Sequence, residues 1–185
     1  MWGEARWSAQ AYEALISAVQ SCKNFKVRIK SAAALSVPAE RKHYGTPEQF
    51  SQIWRALVVA LQNSENAEDF LEFKYSTSLQ TQLCHTLLHL LSLADEADLP
   101  AVRETAAEHG EVIGSYVLQY VKSGVDGDNV GVGGSSCQRG ETLKKAIEHV
   151  RSVEELSACP VKRGAVACLE EVLQIHSSAV ELAES

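Results

Sequence analysis

Apolar residues recur every three or four positions along most of the chain, the spacing that gathers them on one face of a helix. Tyr12, Leu15, Ala18, Val19 and Cys22 form such a stripe and predict a helix over 8–22. Asn24 then offers an N-cap oxygen to a second helix. In that helix Val27, Ala32, Ala33 and Leu35 are expected to turn inward and Lys26, Lys30 and Ser31 outward. Pro38 stops it, because proline lacks an amide donor and biases Val37 away from helix.

Thr46-Pro47-Glu48-Gln49 reads as a capping box with proline at the first helical position. It opens a helix to about Gln62, with Phe50, Ile53, Trp54, Leu57, Val58 and Leu61 on one side. Residues 67–75 fit either a helix start or an extended approach. Helix returns over 76–94, marked by Leu79, Leu83, Leu87, Leu90 and Leu91. Asp98 is expected to cap a long helix to about Lys122, with Pro100 in its first turn. Gly110 and Gly114 inside it predict close approach of a neighbouring helix or a kink. Residues 124–140 hold more than half of the 11 Gly and predict a surface loop. Helix over 141–151, a short turn near Val153 to Ser157 and helix over 160–182 close the chain. No segment demands a strand, so the expected fold is all-α, built of antiparallel helix pairs.

Composition narrows the function. A 45% apolar content suits a globular chain and excludes general disorder. The formal charge of −7 argues against general nucleic-acid binding. The charge is uneven, however. Lys23, Lys26, Arg28, Lys30, Arg41 and Lys42 fall within twenty positions, with Glu40 the sole acid among them. Five cysteines without a C-x-x-C, and no N-x-S/T acceptor, predict a reducing compartment, cytoplasmic or nuclear. Cys22, Cys84 and Cys168 lie on apolar faces, as small hydrophobes do. No segment reads as a signal peptide or a membrane span.

The segment Ala14 to Ser36 resembles the second half of a HEAT repeat. An amphipathic helix and a polar turn at Lys23-Asn24 lead into Val27-Arg28-x-x-x-Ala32-Ala33-x-Leu35. Asn24 stands where that family usually has Asp. Residues 46–94 look like a second, longer repeat, and 98–151 like a third interrupted by the Gly-rich loop. The segments Asn24 to Ala34, Asp69 to Tyr75 and Leu87 to Ala94 are similar to the C-terminal portion of the HEAT repeat-containing protein 6 family. The resemblance implies one α-solenoid domain over 1–185, HEAT/armadillo-like. Its parts would be pairs at 8–36, 46–94 and 98–151 and a C-terminal helix at 160–182. It implies no catalytic activity.

His85 and His89 stand four apart beside Cys84, a spacing that can ligate zinc. Thr86 replaces the glutamate that H-E-x-x-H requires, and no further ligand is marked. Asp126 to Gly131 begins like a calcium loop, but Val130 and Cys137 occupy liganding positions. The loop has no G-K-[ST], and Gly133 to Cys137 misses the nucleophile elbow at its last position. No cofactor is expected.

The reading is a non-enzymatic scaffold that binds one or more proteins through Lys23, Lys26, Arg28, Lys30, Arg41 and Lys42. Phe25 and Tyr44 could add aromatic contacts, with core packing the expected role of Phe25. Trp2 and Trp7 are expected to cover a helix face that an upstream repeat would otherwise bury. The alternatives are a nucleic-acid or phospho-ligand binder using the same cations, then a metal or thiol enzyme.

Overall fold

Seven α-helices and two 3-10 turns account for most of the described residues, 2–64, 70–123, 136–156 and 165–184, of a computed structural model. The helices are α1 (Trp2–Ser21), α2 (Phe25–Leu35), α3 (Pro47–Asn63), α4 (Phe70–Leu91), α5 (Leu99–Ser123), α6 (Ser136–Leu156) and α7 (Ala167–Glu184). The 3-10 turns are Arg41–Tyr44 and Glu96–Asp98. There is no strand among the described residues, and the fold is all-α.

The helices pack in a regular order. α1 lies on α3, α3 on α5 and α5 on α7, while α2 lies on α4 and α4 on α6. Odd and even helices therefore form two layers, tied by contacts of α1 with α2, α3 with α4 and α5 with α6. The core runs between the layers. α4 is its most enclosed element, with Leu79, Leu83, Cys84, Leu87, Leu88, Leu90 and Leu91 all buried. Its position explains this, for α2, α3, α5 and α6 all pack against it. Burying Thr86 there is tolerable because its hydroxyl reaches the carbonyls of Ala32 (3.0 Å) and Gln82 (2.9 Å).

Local signals set the helix ends. Asn24 Oδ1 accepts from the amides of Lys26 and Val27 and caps α2. Thr46 Oγ1 accepts from Gln49 N, with Pro47 at the first position of α3. The full capping box forms elsewhere. Asp95 and Asp98 bond reciprocally around the second 3-10 turn, and Asp98 precedes α5 as a buried carboxylate. Asp98 Oδ2 accepts from Asp95 N at 2.8 Å, so Asp98 is the third residue of that box rather than the cap of α5.

Several expectations need correction. α1 begins at Trp2 instead of Ser8, and 70–75 is helical, the start of α4. On α2, Ser31 is buried and Val27 is 42% exposed, the reverse of the predicted faces. α6 begins at Ser136, so 136–140 is helix, and it runs unbroken through the turn expected near Val153 as far as Leu156. Residues 124–135 and 157–164 lie outside the described residues, as do the side chains of Trp2 and Trp7.

The glycines of α5 do both things expected of them. The backbone kinks at His109 (φ −126°, ψ 15°), next to Gly110. A Cβ at Gly110 would sit 3.6 Å from Cys168 Cβ, and one at Gly114 3.6 Å from the Cys168 carbonyl oxygen. A methyl group would just fit at both positions, so the approach of α7 to α5 leaves room for nothing much larger than Ala.

Candidate docking surface

The predicted basic cluster divides in two. Lys23, Lys26 and Lys30 are exposed around the start of α2, and among the described residues none of them is in an ion pair. Lys26 and Lys30 stand one turn apart, so their side chains share a face. Together with Leu15, Asn24, Val27 and Ser31 they line a shallow hollow of about 360 Å³. Lys26 Nζ also lies 5.7 Å from the centre of the half-exposed Tyr75 ring of α4. The surface thus combines aliphatic walls with ammonium groups, a chemistry suited to an acidic partner carrying an apolar side chain.

Arg28 is half-buried and differently employed. Its Nη2 donates to the Gln20 carbonyl at 2.9 Å, and its guanidinium lies 5.6 Å from the Phe25 ring centre. A cation at the open carbonyl end of α1 stabilises that helix terminus. Phe25 itself packs against the core.

Arg41 and Lys42 do not join this surface. Arg41 Nε and Nη2 donate to the two oxygens of Asp98 at 2.7 and 2.8 Å, and Nη1 donates to the Gly45 carbonyl at 2.9 Å. Its guanidinium also stacks 4.6 Å from the Phe50 ring centre. The hydrogen bond to Asp98 raises the Arg41 pKa above its ordinary value against the opposing effect of burial. Arg41 is a tie between the turn after α2 and the turn before α5. Lys42 pairs with Glu40 at 2.8 Å. Tyr44 is fully buried: its hydroxyl donates to Leu35 O at 2.6 Å, and its ring stacks on Tyr12 and meets Phe50 edge-on. Sequence spacing could not reveal the Arg41 bond, because Asp98 is 57 positions away.

The two histidines of α4 have separate partners. His89 Nε2 donates to the Pro38 carbonyl at 2.6 Å, and His85 Nδ1 lies 3.3 Å from the Tyr120 hydroxyl. Burial lowers the His85 pKa, and the nearby His89 and Arg139 add to the effect. Among the described residues no group of three or more metal-ligating side chains converges. Burial pushes the thiols of Cys84 and Cys168 up, away from thiolate. The candidate calcium-loop residues and the Cys137 side chain lie outside the described residues. No described helix is long and apolar enough to cross a membrane.

Neither a protein-family model nor a solved structure matches the chain. It is similar to an uncharacterised protein of Dictyostelium discoideum, with 36% identity over 88 residues. The match covers 47% of this chain and 6% of that protein, so the chain corresponds to a small part of a much longer relative.

Proposed function

We propose that the chain is an α-solenoid segment of HEAT type, similar to the C-terminal portion of the HEAT repeat-containing protein 6 family, and that it acts as a non-enzymatic scaffold for other proteins. The packing order carries this reading. Helices touch near neighbours within and across two layers, as stacked helix pairs do, and such stacking leaves rows of side chains on the surface. Affinity on such a surface comes from several side chains along a ridge, steered by local charge. The exposure of Lys23, Lys26 and Lys30 around Val27, with no ion-pair partner among the described residues, supports this role for them.

Affinity capture with the wild-type chain and a Lys23→Glu, Lys26→Glu, Lys30→Glu variant tests the proposal. Proteins held by the wild type and lost from the variant support it. An unchanged set of captured proteins removes this surface as the docking site. The second reading, a nucleic-acid or phosphate ligand, is weakened because Arg41 is committed to Asp98. It would gain support from duplex binding whose affinity falls with a log–log salt slope of several units.

A further inference from the structure

The two flanks of the stack differ in charge. Residues 14–39, which include all of α2, contain Lys23, Lys26, Arg28 and Lys30 and no acid. Residues 164–185, which include all of α7, contain Glu170, Glu171, Glu181 and Glu184 and neither Lys nor Arg. Each flank also shows aliphatic side chains to solvent. Val27 is exposed beside the hollow it shares with Leu15, Lys26 and Lys30. On α7, Ile175 is 49% and Val180 42% exposed. These helices stand at opposite ends of the order, since α2 packs mainly on α1 and α4, and α7 mainly on α5 and α6.

We propose that the flanks are complementary, and that the acidic flank of one copy seats on the basic flank of a second copy. Ile175 lies one turn beyond the exposed Glu171 on the same side of α7, and Leu182 a heptad beyond Ile175. Ile175 would enter the hollow walled by Leu15 and Val27, while Glu171 beside it meets Lys26 and Lys30 and Glu181 borders the contact. Burial of the aliphatic groups drives the contact, and the opposed charges fix its orientation. Glu170 is not available for this, because its carboxylate accepts from Arg151 Nε at 2.7 Å. Arg28 is occupied by the Gln20 carbonyl. The contact uses a different patch on each copy, so every dimer keeps one open flank of each kind and association continues beyond two copies.

Sedimentation velocity over a range of concentrations and salt tests this with the full chain. The weight-average mass should rise with concentration past the dimer, and less so at high salt. Lys26→Glu with Lys30→Glu, and separately Glu171→Lys with Glu181→Lys, should each weaken association about tenfold or more. Mixing the two variants should restore it, because the reversed flank of one then matches the reversed flank of the other. Restoration also shows that both variants are folded. A wild-type mass of one chain at every concentration would overturn the proposal, as would reversals without effect or a mixture no stronger than its components. None of these outcomes bears on how the helices stack within one copy, so the scaffold reading is tested separately.

Discussion

His89 and His149 make the same bond one helix pair apart. His89 Nε2 on α4 donates to the carbonyl of Pro38, just after α2, at 2.6 Å. His149 Nε2 on α6 donates to the carbonyl of Ala94, just after α4, at 2.9 Å. Each of these even helices thus pins the turn that follows the even helix before it. Such recurrence is expected where one supersecondary unit is used again. Replacing either histidine with Phe keeps a ring and removes the donor, and should cost about 1 kcal/mol. The sites share no partner, so the two losses should add to within about 0.5 kcal/mol. Urea unfolding of the two single variants and the double variant measures both.

Arg41 and Asp98 hold together two turns that no backbone bond joins. Asp98 is fully buried and Arg41 nearly so, which makes the pair costly to break from one side. Asp98→Ala should destabilise the chain by about 2–3 kcal/mol, the guanidinium keeping only the Gly45 carbonyl and the more distant Asp95 carboxylate. Exchanging both residues for apolar ones of similar volume should cost much less. Equilibrium unfolding of the single and double variants distinguishes these outcomes.

That ion pair marks the limit of what the chain reveals before folding. Signals read within one or two turns, such as the Asn24 and Thr46 caps and the leucine stripe of α4, are legible because their physics is local. The Arg41 partner is not, since only tertiary packing brings Asp98 near it. The faces of α2 depart from the sequence pattern for a related reason. Ser31 is small enough to be buried, and Val27 borders a hollow at the flank instead of the core. The glycine-rich composition of 124–140 drew the loop too far, because Gly140 sits inside α6, where His176 of α7 comes close to it. Of the docking surface, Lys23, Lys26 and Lys30 were legible as a charge run, whereas the roles of Arg28 and Arg41 depend on carbonyl and carboxylate partners.

The close approach of α7 to α5 sets a size limit at Gly114. A Cβ there makes ordinary contacts with the Cys168 carbonyl and Val172, so Gly114→Ala should be neutral or stabilise by up to about 1 kcal/mol. Gly114→Leu should force the helices apart and cost about 1–3 kcal/mol. The thermal unfolding midpoint should therefore fall for Gly114→Leu and hold or rise for Gly114→Ala.

His85 gives stability a dependence on pH. Burial, then the nearby positive charges, holds its folded pKa below the ordinary value. Below about pH 6.5 the unfolded chain takes up a proton that the folded chain refuses. The His85 contribution is therefore complete above that pH and is lost as pH falls towards the lowered value. Comparing wild type with His85→Gln at pH 7.5 and 5.5 isolates it: the wild type should lose more stability on acidification than the variant does.

Removing α7 and following hydrogen exchange in the remainder tests the stacked-pair account most directly. In a row of helix pairs each unit leans on its neighbours, so deletion of residues 165–185 should raise exchange in α5 and α6 and leave protection in α1 to α4 close to that of the intact chain. Loss of protection across all six remaining helices together would contradict the account and indicate a single closed bundle.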